Sequence, residues 1–150
     1  MPRKKPAAGH RGWAGLTALA CAALLSAAAT LHPDARGLGT HQQLGLAPCS
    51  MVTLTGYPCP TCGMTTAFAL TTRARFREAL TAQPAGFTLA LLTVAALAAS
   101  LYTVATGHRP GAAVRRPTPF VLGCSAFALL ILGWGFKLIW GLATGVLPIR

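Results

Sequence analysis

Three cysteines and one histidine between residues 41 and 62 carry the clearest chemistry of this chain. His41 and Cys49 precede Cys59 and Cys62, which belong to a C-P-T-C-G motif at residues 59–63. Two thiolates separated by two residues can bind one metal ion, and the glycine permits the tight turn that such a site needs. A tetrahedral zinc site takes four ligands. Cys49 and His41 would therefore complete a Cys3His set for zinc or another thiophilic metal.

The same cysteines also favour thiol–disulfide exchange. A helix is expected to start near Met64, and a cysteine at a helix N-terminus has its thiolate stabilised by the helix dipole. Cys49 would then be the resolving thiol or would pair with Cys59. A structural clasp, formed by a metal or by a disulfide, is the leading interpretation. A membrane thiol–disulfide oxidoreductase using Cys59, Cys62 and Cys49, and metal sensing or handling, are the alternatives.

The composition argues against most other functions. Of the 150 residues, 53% are hydrophobic and only 10% are charged, whereas soluble domains carry about 25% charged residues. Asp34 and Glu78 are the only acidic residues, so catalysis by paired carboxylates is not expected. The net charge of +11 comes from short basic clusters between long apolar runs, which is typical of membrane proteins and not of nucleic-acid-binding ones. The expected partner is the lipid bilayer.

Three apolar segments, residues 13–31, 86–106 and 120–142, predict membrane-spanning helices, since about 20 apolar residues cross a bilayer core. The first also resembles a secretory signal, but it is long for one. Lys137 lies near the end of the third span, between two tryptophans, and is expected to snorkel to the interface. Gly141 and Gly145 are spaced for close helix packing, which leaves a homo-oligomer or a membrane-protein partner open.

Residues 32–83 are expected to form a Cys-rich loop and one amphipathic helix. Prolines and glycines interrupt residues 32–63, and residues 64–80 can form a helix with an apolar face, lying on the membrane or re-entering it. The predicted fold class is all-α integral membrane, with about three transmembrane helices plus this helix after the CPxCG turn. It comprises a single membrane domain, residues 13–147, behind a disordered basic N-terminus, residues 1–12.

The distribution of positive charge places the N-terminus in the cytoplasm. In the three-span arrangement the Cys-rich loop is expected to face outward, and the expected location is a bacterial inner (cytoplasmic) membrane. A fourth crossing by residues 44–72, which hold no charge, fits the charge rule slightly better. Its prolines and glycines favour three spans, because unpaired backbone groups in lipid cost several kcal/mol each.

Residues 55–68, T-G-Y-P-C-P-T-C-G-M-T-T-A-F, resemble the T-G-x-x-C-P-x-C-G-x-T-R-A signature of a bacterial family of small membrane proteins, a domain of unknown function. The resemblance runs from about residue 41 to residue 95. It implies an integral membrane protein with no established activity, and its marked positions carry over to Cys59, Cys62, Gly63 and Thr65.

Two positions depart from the family pattern. Thr66 stands where the family has Arg, and Gln83-Pro84 stands where it often has Asn-Pro. If the family Arg contacts a lipid phosphate or a thiolate, the resemblance implies that this role is lost here or is taken by Arg73.

Overall fold

The regular secondary structure of the described residues consists of helices only, in agreement with the predicted fold class. The structure is a computed structural model that describes residues 8–108, 110 and 118–148. Its helices are α1 (Ala8–Thr30), α2 (Ser50–Thr55), α3 (Met64–Thr71), α4 (Phe76–Ala82), α5 (Pro84–Thr106) and α6 (Pro119–Ala143), with a 3-10 helix at Thr40–Leu44.

Within the described residues, α1, α5 and α6 are the three helices long and apolar enough to cross a membrane. They contain 23, 23 and 25 residues, so each exceeds the roughly 30 Å of a hydrocarbon core. Leu132 and Ile139 on α6 are 73% and 71% exposed, as lipid-facing side chains would be. The alternative fourth span does not form, because residues 44–72 contain only α2, a turn and α3.

Residues 31–83, which connect the end of α1 to the start of α5, lie together at one end of the molecule. α1 and α5 are antiparallel: Arg11 at the start of α1 donates to the carbonyl O of Val104 near the end of α5 (2.6 Å). At the opposite end Ala28 packs with Phe68 and Ala90. The second half of α6 also reaches this end, which we call the cap (residues 31–83).

The predicted single helix over residues 64–80 is wrong in its continuity, because the structure divides it into α3 and α4. The chain leaves the helix after Thr71 and turns at Ala74, whose φ is +57°, and α4 then starts at Phe76. All six residues from Thr66 to Thr71 are buried, since α3 packs between α1 and α5. Gln83 then ends α4, and Pro84 opens α5, where a missing N–H is tolerated.

Two other expectations differ from the structure, and a third falls on residues that the structure does not describe. Residues 8–12, predicted to be disordered, form the first turns of α1, and residues 1–7 lie outside the described residues. Gly141 and Gly145, two of the glycines expected in a close-packing face, do not share a helix face. A Cβ on Gly141 would lie 2.5 Å from Leu147 Cδ1, so this glycine packs within the chain, and Gly145 lies beyond the end of α6. Arg109, Arg115 and Arg116, which contribute to the predicted charge asymmetry, also lie outside the described residues.

Candidate metal centre

The cap brings three cysteines from separate positions in the chain to one point. The Sγ atoms of Cys49, Cys59 and Cys62 all lie within 4.8 Å of one another. They line a cavity of about 410 Å³ together with His41 and Met64. Cys21 and Cys124, by contrast, lie on α1 and α6 away from this cavity. Within the described residues the cluster therefore consists of the three loop cysteines.

Local backbone geometry places each of the three sulfurs. Cys49 precedes the first turn of α2, and Cys59 and Cys62 are joined by a tight turn in which the N–H of Cys62 donates to the carbonyl O of Cys59 (3.0 Å). Gly63 then adopts φ +91° and starts α3. No side chain caps the start of this helix. The Thr61 hydroxyl lies 3.3 Å from Cys59 Sγ.

The three thiols differ in how easily they ionise. Burial raises the pKa of Cys62 to about 12, and its contacts with the Cys59 and Cys49 side chains act in the same direction. Burial also opposes ionisation of Cys49. Hydrogen bonds to Cys49 from the Val52 backbone and from the Cys62 and Cys59 side chains outweigh that effect and lower its pKa to about 7. Of these two thiols, Cys49 therefore loses its proton first when a metal or an electrophile arrives.

Every second carbonyl between residues 58 and 62 accepts a hydrogen bond from a side chain outside the loop. The indole Nε1 of Trp134 donates to the carbonyl O of Pro58 (2.8 Å). The amide Nε2 of Gln83 donates to that of Pro60 (2.6 Å). The ammonium Nζ of Lys137 donates to that of Cys62 (3.1 Å). We call these three bonds the carbonyl clamp. They attach both motif cysteines to α6 and to the start of α5.

Lys137 shows the largest difference between the expectation from the sequence and the structure. It does not snorkel to the interface. It is 7% exposed, and Nζ also donates to the carbonyl O of Gly37 (2.9 Å). The available signal was its presence as the one charge in the third apolar segment, because an ionisable residue inside a span usually serves a function. The sequence indicated the roles of the other two side chains more weakly. Trp134 is an aromatic residue three positions before Lys137, and Gln83 is an amide where the resemblance led us to expect Asn.

Thr66, which stands where the resemblance led us to expect Arg, is a buried core residue here. Its hydroxyl lies 2.8 Å from that of Thr40, and both side chains are fully buried. Arg73, the suggested substitute, instead donates to the carbonyl O atoms of Ala69 (2.8 Å) and Ala29 (2.9 Å). It therefore ties α3 to the end of α1 and does not contact a thiol.

His41 lines the same cavity but lies outside the group of three sulfurs. Its Nε2 is 3.2 Å from the carbonyl O of Ala47. The ring therefore contacts the segment that leads into Cys49. The structure brings three of the four predicted ligands together and leaves the fourth beside them.

Comparison with known proteins agrees with the resemblance expected from the motif. The family model described as "Protein of unknown function (DUF2752)" matches residues 49–97 of the 150. The matched segment contains all three clustered cysteines, Gly63, Gln83 and the first part of α5. No curated protein and no solved structure matches the chain. What this chain is similar to is thus a family without an assigned activity, and the cysteine cluster lies in the first third of the matched segment.

Proposed function

We propose that Cys49, Cys59 and Cys62 bind one thiophilic metal ion, zinc being the best fit, and that this ion fastens the cap at the membrane surface. The observation that carries the proposal is the convergence of three sulfurs within 4.8 Å. A disulfide uses two sulfurs, whereas zinc sites commonly use three or four. The role is structural, and no catalytic step is assigned to the site.

The distances support a metal with only small adjustments. Zinc lies about 2.3 Å from each thiolate, so sulfurs around a tetrahedral ion are about 3.8 Å apart. Cys59 and Cys62 are 3.1 Å apart, and the third sulfur is within 4.8 Å of both. Shifts of about 1 Å at the side chains would therefore close the three thiolates around an ion. We assign the fourth position to His41, whose ring lines the same cavity.

A clasp at this position would connect segments that are otherwise weakly joined. Cys49 directly precedes the six-residue α2, which has no buried residue of its own. Cys59 and Cys62 are already attached to α5 and α6 by the carbonyl clamp. Binding all three to one ion would therefore fix α2 and its loop to the helices that cross the membrane.

The test is thiol accounting on the full-length chain in native membranes, using a maleimide mass tag and peptide mapping. We expect the three loop cysteines to resist labelling until a zinc chelator is added, because metal-bound thiolates are not free to react. The purified chain should contain about one zinc per chain, as a single three-cysteine site requires. Cys124, which is exposed, is the internal control and should react when the membrane is opened by detergent, with or without chelator.

One specific observation favours a second function, thiol–disulfide exchange by Cys59 and Cys62. Their sulfurs are already in contact at 3.1 Å, and Cys49 is the thiol with the lowered pKa. Labelling of Cys59 and Cys62 only after a reductant, with Cys49 labelled at once and no metal in the chain, would favour this function over the metal clasp. Immediate labelling of all three loop cysteines without either reagent would contradict both.

We also propose that the protein lies in a bacterial cytoplasmic membrane with its N-terminus in the cytoplasm and its cap outside. The positive-inside rule supports this orientation, since Arg3, Lys4 and Lys5 precede α1 and Arg11 lies in its first turns. The antiparallel α1 and α5 place the end of α5 on the same side as that basic head.

The orientation predicts opposite labelling of two single substitutions. Leu54 in the cap is 84% exposed, and His108 just after α5 is exposed at the other end. An impermeant maleimide should add one extra tag to Leu54→Cys in intact cells with the outer membrane removed. It should add one to His108→Cys only after permeabilisation, with the wild-type chain giving the background. The reverse pattern would contradict the proposed orientation.

A further inference from the structure

A second cavity of about 400 Å³ lies in the cap, and the three cysteines do not line it. Its walls come from the loop after α1, from α4, and from the end of α6. Both acidic residues of the chain, Asp34 and Glu78, line it together with Arg36, Arg75 and Lys137. In a chain with 10% charged residues, the presence of five of them around one cavity is a specific feature, and of the five Lys137 alone also bonds to the cysteine loop.

We propose that this cavity binds a phosphate group through Arg36, Arg75 and Lys137. Each guanidinium already uses one edge: Arg36 pairs with both carboxylate oxygens of Asp34, and Arg75 pairs with both of Glu78. Such two-point pairing leaves the remaining N–H donors of each planar fork available.

The carboxylates orient the cations without neutralising the cavity. The hydrogen bond from Arg36 lowers the pKa of Asp34, and the one from Arg75 lowers that of Glu78, so both acids are ionised at neutral pH. Three cations against two carboxylates leave the cavity with an excess of one positive charge. An anion is therefore the expected ligand.

Lys137 supplies the buried contact. It is 7% exposed, and its ammonium has three N–H donors. The carbonyl O atoms of Gly37 and Cys62 accept two of them, which leaves one donor for an oxygen of the ligand. Donors on three separate side chains match the several oxygens of a phosphate better than the two oxygens of a carboxylate.

The source of the phosphate is either a lipid headgroup or free phosphate. Trp140, Leu70 and Leu147 form the apolar wall of the cavity, and Trp140 stacks near Phe136 on α6 with ring centroids 6.0 Å apart. Aromatic residues at the end of a span mark the depth of lipid headgroups. The chemistry recognised is the same in both cases, and the experiment separates the sources.

The test uses the purified full-length chain in a non-ionic detergent. Dihexanoyl phosphatidylglycerol and inorganic phosphate are titrated separately by calorimetry, with dihexanoyl phosphatidylcholine as a third ligand. We expect Arg75→Gln to weaken binding of the phosphate ligand by about 10-fold or more, since a hydrogen bond to a charged group contributes about 1.5–3 kcal/mol. Arg77→Gln is the matched control: it removes the same charge two residues further along, in the first turn of α4, but Arg77 does not line the cavity.

Each outcome decides the proposal. Binding of phosphatidylglycerol alone, weakened by Arg75→Gln and not by Arg77→Gln, supports a lipid headgroup site. Binding of inorganic phosphate with the same dependence supports a free phosphate site. If neither ligand binds, or if both arginine variants weaken binding equally, the site does not exist. An unchanged unfolding temperature of the two variants shows that the comparison concerns the cavity and not the fold.

Discussion

Gly63→Ala is expected to lower the free energy of unfolding by more than about 3 kcal/mol. A Cβ at this position would lie 2.5 Å from Lys137 Nζ, 2.6 Å from the carbonyl O of Gly37 and 2.9 Å from that of Ala82. Two of these atoms belong to the backbone and cannot move without moving the loop after α1 or the end of α4. The φ of +91° adds the strain of a left-handed conformation, about 1–2 kcal/mol for a residue with a side chain.

Gly45→Ala separates the two causes. Gly45 also has a positive φ, +76°, but a Cβ there meets nothing within 4 Å. Its substitution should therefore cost only the conformational strain, about 1–2 kcal/mol. Denaturant unfolding of both variants in detergent micelles measures the difference. Equal losses of stability would contradict the close approach of Lys137, Gly37 and Ala82 to Gly63.

The sequence predicted those parts of the fold that depend on composition along one segment. The three long apolar helices follow from uninterrupted apolar runs, and each helix begins and ends within a few residues of the run that predicted it. The clustering of Cys49 with the motif cysteines also followed from their shared loop. In these cases the sequence pattern is local, because it lies within one helix or one short loop and does not depend on contacts with distant segments.

What the sequence did not predict depends on contacts between distant segments. The break between α3 and α4 is stabilised where the N–H of Arg75 donates to the carbonyl O of Leu70 (3.0 Å), although the apolar spacing of residues 64–80 fits one helix. Thr66 appeared as a lost Arg, whereas its partner Thr40 lies 26 residues earlier. Lys137 appeared as an interfacial anchor because its two carbonyl partners, 100 and 75 residues away, have no sequence signature.

Lys137→Met is expected to weaken zinc binding at the cysteine site by roughly 10–100-fold, the range found for groups that support metal ligands from outside the first shell. Three thiolates around a divalent ion carry an excess negative charge, and Lys137 supplies a buried positive charge whose Nζ bonds directly to the carbonyl O of Cys62. Charge compensation of this kind is strong where water is excluded. Competition titration with a chromophoric zinc chelator measures the affinity.

The free energy of unfolding is a poor measure of the same effect. Methionine removes two hydrogen bonds and leaves the carbonyls of Gly37 and Cys62 unpaired, which is destabilising. It also removes the cost of burying an ammonium, which is stabilising. Because these contributions have opposite signs, stability can change little while zinc affinity falls.

Trp134→Phe distinguishes the charge of Lys137 from its role in the carbonyl clamp. It removes a neutral hydrogen bond from the same helix to the same loop, at the carbonyl O of Pro58. A bond of this kind contributes about 1 kcal/mol, so zinc affinity should fall by no more than about 5-fold. If Trp134→Phe weakens zinc binding as much as Lys137→Met does, loop position and not charge is what α6 supplies. If Lys137→Met weakens zinc binding clearly more than Trp134→Phe does, the positive charge of Lys137 on α6 compensates the negative charge of the thiolates.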